Sequence, residues 1–92
     1  MKPSEILENA KALLTEETWG QGADRYDKHQ ICIIDALKKF PLESFALRRV
    51  YNLMRVQCAG NVSGWNDAPG RTLVEVHAAF DKAIELAKAD GE

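Results

Sequence analysis

Residues 65–76, WNDAPGRTLVEV, combine a polar turn with the start of a helix, and the position of this helix organises the rest of the chain. Thr72 and Glu75 are three residues apart and precede an apolar run with helical spacing. This is the pattern of a capping box, in which the threonine hydroxyl accepts from the backbone N–H of Glu75 while the carboxylate accepts from the backbone N–H of Thr72. The pattern predicts that a helix begins at this point.

Apolar residues recur at helical spacing in four segments of the chain. The segments that we predict as helices are residues 3–15, 30–40, 42–58 and 72–88. Pro41 separates the second helix from the third, since its ring disfavours helical geometry in the preceding residue. Gly60 is a candidate for the left-handed residue that ends the third helix. The run Ile31–Ile34 is β-branched enough for a strand, but no second strand is available as its partner, so a helix is preferred.

The length and composition of the chain indicate a single domain, residues 1–92. Its 46% hydrophobic and 28% charged residues are ordinary for a globular protein. The amphipathic stripe of each helix must be buried against another helix, so we predict an all-α fold, a compact irregular bundle of about four helices. The third helix has the broadest apolar stripe, which includes Phe45, and is the expected central element.

The charge of the chain disfavours nucleic acid as a partner, because the net charge is −2 and binding to phosphates needs a basic surface. Basic residues are nevertheless concentrated in the middle of the chain, where they could form a patch or could simply be solvated on helix faces. These residues are Lys38, Lys39, Arg48, Arg49 and Arg55. The N-terminus does not resemble a signal peptide, and no apolar run has the length of a membrane span. We therefore expect a cytoplasmic protein with no membrane partner.

The chain contains four possible metal ligands of the zinc-binding types, His29, Cys32, Cys58 and His77. Only His29 and Cys32 are closely spaced, whereas structural zinc sites normally use two close ligand pairs. Cys32 lies near the start of a predicted helix, where a thiol pKa can be lowered, but nothing in the sequence brings His77 to it. We therefore predict no metal, no cofactor and no catalytic residue, with both cysteines as small buried hydrophobic side chains. His77 is expected in the core-facing stripe with one nitrogen hydrogen-bonded.

Two tryptophans lie in segments predicted to be non-helical, next to glycines and polar side chains. Loops often carry function, and Trp and Arg are frequent anchors of binding surfaces. The candidate binding residues are Trp19, Gln21, Trp65, Asn66, Asp67 and Arg71. In the alternative interpretation each indole closes one end of the bundle, and Asn66 or Asp67 satisfies backbone N–H groups of the loops. Arg71 would then pair with Asp67 across the turn.

The order of these motifs resembles a family of small uncharacterised proteins of bacteria and of the phages that infect them. The resemblance covers nearly the whole chain and rests on four motifs. They are an Ile-Leu-x-x-Ala-x-x-Leu-Leu helix, the turn Trp19–Gly22, a helix with Cys32, and the Trp-Asn-Asp block followed by Arg-Thr-x-x-Glu-Val. The family has no assigned activity, so the resemblance implies no site residues. It implies a bacterial or phage origin and a cytoplasmic setting.

These observations favour a non-enzymatic protein that binds a protein partner. The expected contact surface is the Trp19–Gln21 turn together with residues 65–71, and the basic middle helices are a second candidate. The alternative is a small-ligand binder or a minor enzyme that uses the same polar loop residues. Convergence of these side chains on an open pocket would favour a ligand, a flat exposed aromatic patch would favour a partner, and burial would favour a structural role. The sequence leaves the oligomeric state open.

Overall fold

Six helices are found in the computed structural model, which describes residues 1–41 and 45–92. They are α1 Pro3–Leu13, α2 Asp24–Asp27, α3 Ile33–Leu37, α4 Phe45–Gln57, α5 Val62–Asn66 and α6 Leu73–Ala89. The described residues contain no strand, only an isolated bridge between Trp19 and Ile31. The all-α prediction is therefore confirmed. The number of helices was wrong, because α2 and α5 are short helices inside segments predicted as loops.

The second predicted helix is shorter than the expected residues 30–40. The backbone N–H of Ile31 donates to Thr18 O at 2.7 Å, and the N–H of Gly20 donates to Ile31 O at 2.9 Å. These two bonds hold Ile31 in a bridge, so the β-branched start of the segment does not become helical. Helix α3 begins only at Ile33. At the third predicted helix the starting residue, Leu42, lies outside the described residues.

The hydrophobic core lies where α1, α4 and α6 pack against one another, and α3 packs against α1. Its largest fully buried apolar side chains are Ile6, Leu7, Leu14, Ile33, Leu37, Leu47, Val50, Met54, Val76 and Phe80. Phe45 was wrongly assigned to this core, since it is 85% exposed. With about 3.6 residues per turn, position 45 lies on the opposite side of α4 from Leu47, Val50 and Met54.

The membrane-spanning potential of the chain can be judged from its helices. Among residues 1–41 and 45–92, no helix combines the length and the apolar character that crossing a bilayer requires.

The turn after α4 follows the sequence prediction. Gly60 adopts a left-handed conformation with φ of 88°, and its N–H donates to Arg55 O at 2.8 Å. The chain then enters α5, where the side chain of the N-cap residue Asn61 accepts from the N–H of Gly64 at 3.0 Å. Helix α5 packs on α3, which brings residues 65–67 to the loop that contains Trp19.

Helix α6 begins at the predicted capping box. The Thr72 hydroxyl accepts from the N–H of Glu75 at 3.2 Å, and Glu75 Oε1 accepts from the N–H of Thr72 at 2.9 Å. The backbone N–H of Thr72 and, at 3.1 Å, its hydroxyl both donate to Glu75 Oε1. These two bonds, the backbone one first, lower the pKa of Glu75. The predicted start of the last helix is confirmed.

Replacing Thr72 by alanine should lower the free energy of unfolding by about 1 kcal/mol, because the N–H of Glu75 loses its acceptor at the helix start. The measurement is urea denaturation followed by circular dichroism. Thr72→Ser is the matched control, since it keeps the hydroxyl and should retain most of the stability. An alanine variant with the same midpoint as the parent would contradict the capping role.

Candidate functional site

The side chain of Asn66 is the centre at which most of the predicted binding residues meet. Asn66 is 0% exposed and is the last residue of α5. Its Oδ1 accepts from the Trp19 indole N–H at 2.8 Å and from the backbone N–H of Ile33 at 3.2 Å. Its Nδ2 donates to Gly20 O at 3.1 Å and to Asp67 Oδ1 at 2.9 Å. A side-chain amide has two acceptor and two donor positions, and here all of them are occupied.

Gln21 and Asp67 add a second set of bonds between the same two segments. Gln21 Nε2 donates to Asn66 O at 2.9 Å and to Ala68 O at 2.8 Å. Asp67 Oδ1 also accepts from the backbone N–H of Gly22 at 2.9 Å. We call the side chains of Trp19, Gln21, Asn66 and Asp67 the Asn66 cluster. It joins the loop after α1 to the end of α5 across more than forty residues of sequence.

The glycines on either side of Gln21 each meet a local requirement, Gly20 for lack of space and Gly22 for its backbone conformation. A Cβ at Gly20 would lie 2.6 Å from Gln30 Oε1 and 2.8 Å from Arg25 Cβ. Gly22 has a left-handed φ of 57°, which favours glycine. These two residues therefore let the backbone present a carbonyl to Asn66 and an N–H to Asp67.

Trp65 and Arg71 form a separate unit beside the Asn66 cluster. The Arg71 guanidinium carbon lies 3.8 Å from the centre of the Trp65 ring, and Arg71 Nε donates to Trp65 O at 2.9 Å. Arg71 Nη1 pairs with Glu75 Oε2 at 2.9 Å, so the cation is engaged by the capping residue and not by Asp67. The indole is half-buried and packs on the core. The guanidinium is thus already occupied within the chain.

The chemistry of the Asn66 cluster is that of a saturated hydrogen-bond network. No buried side-chain nitrogen or oxygen in the described part of the chain is without a hydrogen-bond partner. A recognition site normally has hydrogen-bond donors or acceptors that are available to its ligand. In this cluster, the polar side chains form hydrogen bonds with one another and with the backbone instead. These side chains therefore hold the two segments together by hydrogen bonds, and their role in binding a partner stays a prediction.

The cysteines and His77 occupy structural positions. Cys32 and Cys58 are free and buried, and desolvation is the main cause that raises the pKa of both thiols, that of Cys58 to about 11. A thiol with a raised pKa is a poor nucleophile at neutral pH. His77 Nε2 lies 2.7 Å from Leu14 O, so the predicted bonded nitrogen is present. The ring is not part of the core as expected but is partly exposed and lines the groove between α1 and α6. In residues 1–41 and 45–92, His, Cys, Asp and Glu form no group of three that could hold a metal ion.

The predicted basic patch is divided by the structure. Arg49 pairs with Glu92 at 2.7 Å and also with the Asp90 carboxylate. Arg48 and Arg55 form no ion pair with any residue that the structure describes, although Arg25, Arg49 and Arg71 all do. Arg48 and Arg55 lie on the solvent side of α4 together with two exposed apolar residues, Phe45 and Val56. This face of α4 was not recognised from the sequence, because Phe45 was placed in the core.

Two surface grooves were also not predicted. One, of about 700 Å³, runs between α1 and α6 and is crossed by the ion pair between Lys11 and Asp81, 2.7 Å. The other, of about 510 Å³, lies between α2 and α3 and includes Tyr26, Lys38 and Lys39. No run of similar residues marks the second groove in the sequence, because residues 24–39 mix four Lys or Arg residues with three Asp and a single Tyr.

Comparison with known proteins assigns most of the chain to one family. The sequence profile described as "Family of unknown function (DUF6197)" matches residues 1–86. No curated protein and no solved structure matches the chain. The family description names no activity, so a proposal about the function of this chain must be argued from its own surface.

Proposed function

Because the chain belongs to DUF6197, a family of unknown function, we propose its role from the side chains that are exposed on its surface. The protein is a non-enzymatic interaction module that binds an acidic segment of a protein partner through the outer face of α4. The observation that carries this proposal is the contrast among the arginines. Three of them form ion pairs with carboxylates of the chain. Arg48 and Arg55 form none with the residues described, 1–41 and 45–92, and these two share one helix face.

The outer face of α4 is a continuous strip. With about 3.6 residues per turn, Phe45, Asn52 and Val56 follow one line along the helix. Arg48 and Arg55 run beside that line, two turns apart. The strip from residue 45 to residue 56 is about 16 Å long, at roughly 1.5 Å per residue. This length matches about three turns of a helix or five residues of an extended segment in a partner.

The strip contains exposed apolar side chains, so covering it with a partner would be energetically favourable. Phe45 is 85% exposed and Val56 is 73% exposed, and burying apolar surface contributes about 25 cal/mol per Å². A phenyl ring at one end and a valine at the other would supply part of the binding free energy. The arginines between them would determine which partner binds, because guanidinium groups form paired hydrogen bonds with carboxylates.

Charge complementarity specifies the chemistry of the partner. The two exposed guanidinium groups of Arg48 and Arg55 favour an acidic segment, and opposite charges across an interface increase both the association rate and the selectivity. Apolar side chains on the same segment would cover Phe45 and Val56. The partner is therefore expected to present acidic and apolar side chains together on one face.

The proposal gives the six residues first considered for binding a supporting role. The Asn66 cluster would hold α5 and the loop after α1 in place, and Arg71 with Trp65 would hold the turn before α6. The cytoplasmic setting and the bacterial or phage origin suggested by the motifs are part of this proposal and place the partner inside the same cell.

The proposal is tested by charge reversal on α4. The chain is immobilised and exposed to extract from cells of its source, and retained proteins are quantified by mass spectrometry. In the double variant Arg48→Glu, Arg55→Glu, retention of the partner should fall about tenfold or more, since about 1.4 kcal/mol corresponds to a factor of ten. The control is Lys28→Glu, Lys82→Glu, which reverses two exposed cations on other parts of the surface and should leave retention unchanged.

Ionic strength gives a second readout of the same contact. Retention of the partner should decrease as salt is added, because salt screens the attraction between exposed opposite charges. Equal retention by the parent and the Arg48, Arg55 variant would contradict the proposal. So would retention that disappears after nuclease treatment, since the partner would then be nucleic acid.

A further inference from the structure

The groove between α2 and α3 has the size of a small-molecule site. Its volume is about 510 Å³, within the roughly 300–1,000 Å³ of typical ligand pockets. Tyr26, His29 and Ile31 line the groove. Lys38 and Lys39, which directly follow α3, line it too, together with Asp35.

The charges of the α2–α3 groove are predominantly positive. Lys38 and Lys39 are exposed and form no ion pair with a residue that the structure describes. The carboxylate in the groove is already used, because Asp35 Oδ2 accepts from Arg25 Nε and from the backbone N–H of Cys32, both at 3.0 Å. Burial works against ionisation of Asp35, yet these hydrogen bonds hold its pKa below the ordinary value. Asp35 is therefore ionised and paired with Arg25. In the described part of the chain, the ammonium groups of Lys38 and Lys39 have no carboxylate partner.

An aromatic ring stands at the edge of this cationic groove. Tyr26 is 66% exposed. Arg25 Nη2 donates to its hydroxyl at 2.9 Å, and the Arg25 guanidinium carbon lies 4.4 Å from the ring centre. Arg25 is itself held by Gly22 O at 2.6 Å. The ring is thus kept in position while most of it remains in solvent, so a ligand that stacks on it would lose less side-chain freedom.

The backbone at His29 adds an independent observation. His29 has a φ of 55°, in the left-handed region that residues other than glycine seldom adopt. Its N–H donates to Tyr26 O at 3.2 Å, which closes the turn after α2. The turn brings the imidazole of His29 to the same groove as the two lysines.

We propose that the α2–α3 groove binds a small phosphate-bearing ligand with a planar ring, of the nucleotide class. The phosphate would lie between Lys38 and Lys39, whose ammonium groups form charge-assisted hydrogen bonds with phosphate oxygens. The ring would stack on Tyr26, since aromatic pairs favour offset contact, and Ile31 would form the apolar floor. This inference is independent of the contact proposed for α4, because the two sites share no residue.

The test is a titration of the full chain with adenosine monophosphate, followed by nitrogen–proton correlation spectra. Saturable shifts are expected at amides in residues 26–39. The double variant Lys38→Gln, Lys39→Gln should bind about tenfold more weakly, whereas Lys28→Gln, Lys82→Gln should bind as the parent does. Tyr26→Ala should reduce the affinity to that of inorganic phosphate, and Tyr26→Phe should retain it because the ring remains.

Each result of this titration decides the proposal. Absence of saturable shifts, or shifts centred on α4 or on the α1–α6 groove, would overturn it. Parent-like binding by the Lys38, Lys39 variant would also overturn it. Equal affinity for inorganic phosphate and adenosine monophosphate would overturn it too, because the ring would then contribute nothing to binding. The variant Arg48→Glu, Arg55→Glu should bind the nucleotide normally, which separates this site from the proposed partner surface.

Discussion

Replacing Asn66 by alanine is expected to lower the free energy of unfolding by about 3 kcal/mol or more, since each buried group left without its hydrogen bond costs about 1–3 kcal/mol. The substitution removes the acceptor of the Trp19 indole N–H and of the Ile33 backbone N–H. It also removes the donor to Gly20 O. A methyl group can replace none of these bonds, and the buried position leaves little access for water.

The matched control for this prediction is Asn52→Ala. Asn52 is the same residue type on the exposed side of α4, where substitutions usually change stability by less than about 0.5 kcal/mol. Chemical denaturation of both variants, with the parent measured in parallel, gives the comparison. If both alanine variants unfold at the same midpoint, the Asn66 cluster does not stabilise the fold as described.

Replacing Trp65 by alanine is expected to cost about 3 kcal/mol, toward the lower end of the range for large aromatic side chains because the ring is only half-buried. The variant loses the packing of the indole on the core and the platform for the Arg71 guanidinium, 3.8 Å from the ring centre. Since Arg71 also donates to Trp65 O and to Glu75, its loosening would weaken the start of α6.

Phenylalanine substitutions separate the roles of the two tryptophans. Trp65→Phe keeps a ring beneath Arg71 and should lose less than half of the stability lost by Trp65→Ala. Trp19→Phe should be the more damaging of the two phenylalanine variants, because it removes the N–H that Asn66 Oδ1 accepts at 2.8 Å. Thermal and denaturant unfolding measure both. A fully stable Trp65→Ala variant would show that the indole is free for recognition instead of holding the turn.

The Asn66 cluster has a consequence for the proposed interaction surface. It connects the loop after α1, the start of α3 and the end of α5. Buried polar networks of this kind stabilise a fold only when every member is satisfied, which is the case here. Variants of the cluster should therefore affect binding through loss of folding, and variants of Arg48 and Arg55 should affect binding in a folded chain.

Features that depend on neighbouring residues were predictable from the sequence. The capping box of Thr72 and Glu75, the left-handed Gly60 and the apolar stripes of α1 and α6 all arise from positions a few residues apart. Such patterns act through local hydrogen bonds and helical periodicity, and the structure confirms them. The short helix α5 was missed for the same reason, because a five-residue helix with a glycine has no periodic stripe and depends on its Asn61 cap and its packing on α3.

Only the tertiary structure determines which polar side chains pair within the chain and which are exposed to solvent. Trp19, Gln21, Asn66 and Asp67 were recognised as a set, but their partners lie up to 47 residues away in the sequence, and only the packing of α5 on α3 shows that they bind one another. Arg49 is neutralised by residues 41 and 43 positions away, while Arg48 beside it remains in solvent. Hydrogen bonds and ion pairs depend on distances in space, which are set by how the helices pack, whereas helix starts and stripes depend on chemistry within a few turns of the chain.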